Sequence, residues 1–272
     1  MESIREPAVA GTFYPASSIK LREAVEQYLN ETALDEDYKG LFGIVAPHAG
    51  YLYSGKTAAY AYNAIKKQYN TVIVLSPSHR EYFPGISIYN GEGYKTPLGI
   101  IPVNKFLREK LLFNSKNIFA GNDGHHSEHA VEVQLPFLQV VLQDFTLVPI
   151  VIGDQRRSFL DELAYKLADS VDDNTLIIAS SDLSHFFPRD AANKLDERIE
   201  KNIENFDYET LMHDLETSQC EACGGGAVVA MMKTADILDK HKSKVLKRAN
   251  SGDVTGDYSE VVGYLSAVIY EG

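Results

Sequence analysis

The chain has 272 residues, 44% hydrophobic and 24% charged, a globular rather than a disordered composition. A formal net charge of −12, with lysines only in interrupted stretches such as Lys66-Lys67 and Lys240–Lys247, argues against a nucleic-acid partner. No stretch approaches the ~20 apolar residues of a membrane span, MESIREPAVAGTFYP lacks the apolar core of a leader, and two cysteines exclude a disulfide scaffold, so a soluble, cytoplasmic protein without a membrane partner is expected.

Residues 17–31 show helical spacing, with Leu21, Val25 and Leu29 on one face and Ser17 or Ser18 as N-cap. A buried strand follows over 41–46, a helix over 54–67 and a strand over 71–75. The Gly-, Pro- and Tyr-rich stretch 84–103 reads as short strands and turns laid over the main sheet. A short helix is expected over 104–113. Residues 128–142 have helical spacing that Pro136 must kink or restart. Then come a strand over 145–152, a helix over 158–171, a strand over 175–180, and helices over 191–205 and 208–216. The helix over 226–238 is apolar nearly all round and so buried. Strands over 245–249 and 261–270 close the chain. With no linker or repeat, this alternation predicts one domain, residues 1–272. Its class is α/β, a three-layer α/β/α sandwich with a mostly parallel central sheet.

Three of the apolar strands run into polar punctuation. GIVAPH ends at His48, VIVLSPSH at His79, and LIIASSDLSH at Asp182 and His185. In open α/β sheets, ligands bind beyond the carboxyl ends of the strands. One such histidine alone is most simply a turn residue bonded to a nearby carbonyl. Three together, if their strands are neighbours, converge on one cleft.

Two imidazoles and an anionic donor make a transition-metal site, with Asp182 and Cys223 as anionic candidates. Cys223 lies in CEACGGGAVVAMM, just ahead of the buried helix, whose N-terminus is expected to lower the thiol's pKa. The CxxC pair Cys220/Cys223 lacks the second ligand pair of a zinc knuckle. In GHHSEH, His125 and His126 read as loop residues. His129 is a candidate for the same cleft, with Glu132 one turn on. His213 and His241 read as surface residues. Tyr14, Tyr51 and Tyr53 are candidate cleft linings. No phosphate-cradling glycine loop and no nucleophile elbow are present.

REPAVAGTFYP, APHAGYLYSG, LSPSH, EHAVEVQLPFLQ, SSDLSH, the late Cys-Gly segment and SGDVTGDYSEVVGYLS together resemble the Memo family, in the family's order and over nearly the whole chain. Microbial members are called protein B of the AmmeMemoRadiSam system. The resemblance implies a fold like that of class III extradiol dioxygenases, which hold non-haem Fe(II) with two His and one Glu. It implies His48 and His79 as imidazole ligands and Cys223 at the carboxylate position. It also implies His185 as acid/base, beside Asp182, and His129 as a second pocket histidine. A thiolate in place of a carboxylate moves affinity toward Cu(I), Zn(II) or Fe in another role; Fe(II) or Cu is the expected cofactor, ahead of Zn.

The leading expectation is therefore a metal-dependent redox or oxygenase-like protein acting on a small molecule or peptide. Further partners would come from the AmmeMemoRadiSam gene cluster. Two rivals stand beside it: a non-catalytic peptide- or protein-binding module on the same fold, and a metal-free enzyme with Cys223 as nucleophile.

Overall fold

A computed structural model describes residues 3–271. Met1 and Glu2, part of the stretch read for a leader, and Gly272, within the expected domain, lie outside the described residues. The chain opens with β1 (Ile4–Arg5), α1 (Ser18–Glu31), β2 (Gly43–Ala46), α2 (Tyr51–Asn63) and β3 (Thr71–Pro77). Next come β4 (Ile86–Tyr89), β5 (Gly93–Thr96), β6 (Gly99–Pro102), α3 (Lys105–Leu112) and β7 (Ile118–Gly121). A 3-10 turn, Glu132–Gln134, leads into α4 (Leu135–Val141), β8 (Thr146–Ile152), α5 (Arg157–Ala168), β9 (Thr175–Ser180) and β10 (His185–Phe187). The chain closes with α6 (Arg189–Glu204), α7 (Tyr208–Glu216), α8 (Gly225–Ile237), β11 (Lys242–Asn250), α9 (Gly252–Thr255) and β12 (Val261–Tyr270).

The main sheet runs β10-β12-β2-β9-β3-β8-β4-β7, with β11 also paired to β12. Its centre, β2-β9-β3-β8, is wholly parallel. Antiparallel pairs flank it, β12 against β2 on one side and β4 against β8 on the other. Successive strand residues alternate between faces, as a pleat demands. Ile44, Val72, Val74 and Ile178 join one buried cluster with α1, α2 and α4. Val45, Ile73, Leu75 and Ile177 join the other with α3, α5, α6, α7 and α8. The two clusters are the two filled interfaces of the expected three-layer sandwich. Each fully buried Ile, Leu or Val adds about 1.5–3 kcal/mol of hydrophobic stabilisation before entropy is counted.

Most expected elements are present, with ends shifted by a few residues. Ser17 caps α1, its Oγ accepting from the Lys20 amide at 3.5 Å. The middle stretch divides in two. β5 and β6 pair with β1 in a small separate sheet, whereas β4 belongs to the main sheet rather than lying over it. The helix expected from residue 128 becomes helical only at Glu132, because the amides of His129 and Ala130 bond to the Glu128 carboxylate at 2.8 and 2.9 Å. Local side-chain bonds of this kind compete with the helix. No helix among the described residues is long and apolar enough to cross a membrane.

Candidate metal centre

β2, β9 and β3 are consecutive in the sheet, so the residues past their carboxyl ends meet. Pro47 ends β2 and presents His48. Pro77 ends β3 and presents His79. Between them, β9 ends at Ser180 and gives way to Ser181 and Asp182. The third imidazole, His129, comes from the loop before the 3-10 turn. One ligand atom from each of His48, His79 and His129 lies within 4.8 Å of the others. Ring centroids are 5.0 Å apart for His48–His79, 5.4 Å for His48–His129 and 4.8 Å for His79–His129. The Cys223 Sγ stands 3.1 Å from His48 Nε2 and accepts from the Asp182 amide at 3.3 Å.

Hydrogen bonds settle which nitrogen of His48 carries the proton. Ser180 Oγ has one hydrogen and donates it to the Ala130 carbonyl at 2.8 Å. Its lone pairs must therefore accept from its other neighbours, the Gln134 amide at 2.8 Å and His48 Nδ1 at 2.9 Å. Gln134 is itself oriented by Tyr62, whose hydroxyl donates to its Oε1 at 2.6 Å. His48 Nδ1 thus holds the hydrogen, and the Nε2 lone pair faces the thiol. His79 Nδ1 donates to Glu128 Oε1 at 2.9 Å, and the His79 amide to Oε2 at 2.6 Å, leaving its Nε2 lone pair available too. Such partners fix the tautomer of metal-binding histidines.

Burial pushes His48 down to about 3, helped by the charge of His79, and His129 down to about 4, helped by His48. Both are neutral donors near pH 7. Burial acts to raise the Glu128 carboxyl, but the hydrogen bond and charge of His79 and the amides of His79 and Ala130 hold it at about 2. Burial pushes Asp182 up, opposed by the His48 amide and the charge of His185. The Cys223 thiol is also raised, by burial first and then by Asp182, which corrects the expectation of a thiol acidified by the helix N-terminus. α8 begins at Gly225, two residues on, and its field is outweighed. Buried His129 Nδ1 has no hydrogen-bond partner, although Glu128 Oε1 is 3.3 Å away. An orphaned imidazole nitrogen beside the neutral imidazole of His48, the ring of His79 and a thiol is a donor set that fits a borderline or soft metal ion.

The structure brings His48, His79, His129, Asp182 and Cys223 together. His185 stands on the wall of a cavity of about 460 Å³ that His129 and Asp182 also line. It does not simply end a loop, because it begins β10, which pairs with β12. Other readings are corrected. Glu132 faces away from the cluster and is wholly buried against Arg5 and the Tyr14 hydroxyl, with the amides of Ala8 and Val9 donating to it at 2.8 and 3.1 Å. His125 is buried rather than a surface-loop residue, its Nδ1 bonded to the Tyr94 hydroxyl at 2.6 Å. Tyr14 and Tyr51 are committed to the core, and only Tyr53 of the three tyrosines lines the cavity. Sequence reasoning missed Glu128, Ser180 and Gln134. For Glu128 the available signal was a carboxylate one residue from a candidate histidine.

A family profile described as "Memo-like protein" matches residues 5–268. A MEMO1 family protein of Methanocaldococcus jannaschii is 36% identical over 287 residues, covering 99% of this chain and 100% of the relative. One from Thermoplasma volcanium is 37% identical, covering 97% and 98%. One from Sulfolobus acidocaldarius is 38% identical, covering 97% and 98%. Among solved structures, an uncharacterized protein from Escherichia coli K12 aligns with a TM-score of 0.53 and 14% identity, covering 84% of this chain and 99% of that one. That likeness speaks to fold alone.

Proposed function

We propose, on the premise that this chain belongs to the Memo family, that the histidine cluster, buried at His48 and exposed at His79, is a metal centre for iron or copper in a redox or oxygenase-like protein. The observation that carries this reading is three imidazole ligand atoms within 4.8 Å of one another, two of them just past the ends of parallel strands and the third, from His129, on a loop. His48 and His79 are the anchoring ligands. His129 completes the trio, and Cys223 adds a soft donor against His48. A bound iron or copper ion would supply electron transfer and Lewis acidity there.

The chain's own residues do the rest. Glu128 and Ser180 hold two rings in the ligating tautomer. Burial keeps His48 and His129 neutral, so a cation meets no charged imidazole from them. His185, which lines the cavity with Asp182, would take and return a proton from a bound molecule. The thiol-nucleophile alternative has less support. The thiol is pushed up rather than activated, and its neighbour His48 is too weak a base to ionise it.

The test is metal content after anaerobic purification, for the wild type and for His48→Ala, His79→Ala, His129→Ala and Cys223→Ser. The first two are expected to lose most of the metal and the last two to weaken its retention by about 10–100-fold. Full retention in His48→Ala and His79→Ala would overturn the reading. Zinc as the sole occupant would keep the site and remove its redox role.

A further inference from the structure

The cavity over the histidines has a composition of its own. At about 460 Å³ it is within the size range of small-molecule sites. Phe13, Tyr53 and Phe186 line it, and Phe13 packs on the His129 ring at a centroid distance of 4.7 Å. Phe186 is 70% exposed and Tyr53 41% exposed. Phe186 also has φ 63°, the left-handed region that a bulky side chain occupies only under constraint. The constraint is visible. β10 pairs with β12 on either side of this residue, and the register shifts there. Just upstream, Leu183 N donates to Gly263 O at 2.8 Å, and Gly263 N donates to Ser184 O at 2.9 Å. The strained backbone keeps a large ring in water beside the cavity, where core burial would otherwise claim it.

The charge on the walls has one sign. Asp257 and Glu260 line the cavity with Asp182, and among the described residues no lining side chain is Lys or Arg. Arg189, bonded through its amide to Tyr258 O, lies over the Tyr258 ring at 4.5 Å and lines a separate cavity. Asp257 and Glu260 are exposed to solvent, so their charge draws in a ligand of the other sign most strongly at low salt, and aromatic faces also attract cations.

We propose that this chamber binds a small aromatic molecule carrying a positively charged amine. Its ring would stack among Phe186, Tyr53 and Phe13, its ammonium would face Asp257 and Glu260, and the opposite edge of the ring would be presented to His129 and His185. The proposal takes from the functional reading only that the histidine cluster is the working centre, and it does not need metal to be bound.

The experiment titrates the protein calorimetrically at low ionic strength with tyramine, para-ethylphenol and para-hydroxyphenylpropionate, which share a ring and differ in charge. The amine should bind tightest and the acid weakest, each step about two- to fivefold. Asp257→Asn with Glu260→Gln should erase the amine's advantage and leave the neutral phenol unchanged. Phe186→Gly relieves the left-handed strain, so it should hold or raise the melting temperature while weakening all three ligands about tenfold. Equal binding of acid and amine, no binding of any of the three, or a Phe186→Gly variant of undiminished affinity would each overturn the proposal. Metal content is measured on the same preparations. A protein that ranks the ligands but takes up no metal sinks the metal reading alone, and one that takes up metal but does not rank them sinks only this inference.

Discussion

Replacing Ser180 by Ala would strand two polar groups at once, the His48 Nδ1–H and the Ala130 carbonyl, while the Gln134 amide keeps the carbonyls of Ala46 and Pro47. Leaving buried partners unpaired costs about 1–3 kcal/mol, and freeing the imidazole tautomer should weaken metal affinity about 10–100-fold. Urea unfolding of the metal-free protein and a separate metal titration check the two effects. Acid sensitivity belongs to the same scale. Unfolded, a histidine takes up a proton near its ordinary 6.5, whereas folded His48 and His125 resist to about 3 and His129 to about 4, chiefly through burial. As pH falls below 6.5 the unfolded chain gains protons that the folded chain refuses. Stability is therefore full above that pH and is lost on acidification by about 1.4 kcal/mol per pH unit for each such group. Glu128, held at about 2, adds to the loss below its ordinary 4.5, while the raised Asp182 offsets part of it. The urea midpoint should fall between about pH 7.5 and about pH 5, and a flat midpoint would contradict this account. His48 and His79 were legible in the sequence because each stands just past an apolar run. The role of Ser180 was not, since a serine closing a strand looks the same whether or not it orients an imidazole 132 positions away.

At the scale of elements, the turn into α8 sets where the thiol sits. A methyl on Gly224 would come within 2.1 Å of the Ser180 carbonyl oxygen and 2.9 Å of Ser181 Cβ. Gly224→Ala must push the 220–224 turn off the end of β9. The expected cost is about 1–3 kcal/mol, with faster alkylation of Cys223 in the metal-free protein as its contact with His48 opens. Thiol-modification kinetics beside a melting curve would check both. Elements of strong period or unbroken apolar character, such as α1, α8, β9 and β12, could be read from the sequence to within a residue or two of their ends. β1, β7 and β10 could not. They have two to four residues each, and their pairing comes from distant partners rather than from local pattern. The false helical start at Glu128 has a similar origin, because the spacing was right but the backbone amides there are taken by a side chain.

For the whole molecule, four parallel strands supported on both faces make the rim where the histidines stand a rigid platform. A ligand that binds only the folded state stabilises it by mass action, about 2.7 kcal/mol at a hundredfold excess over Kd. Added Fe(II) or Cu should raise the melting temperature of the wild type and leave that of His79→Ala unmoved, which a thermal scan with and without chelator would show. β12 ties this platform together, with Val261 and Val262 pairing the His185 segment and Ala267–Ile269 pairing β2 back to Gly43. Its direction has a practical consequence. Tyr270 exits on the far side from the histidines, whereas the stretch from Arg5 to Phe13 leans on Glu132 and the His129 ring. A purification handle or fluorophore fused after Tyr270 would hang clear of the working rim, while one fused ahead of Ser3 would tug on the brace behind it.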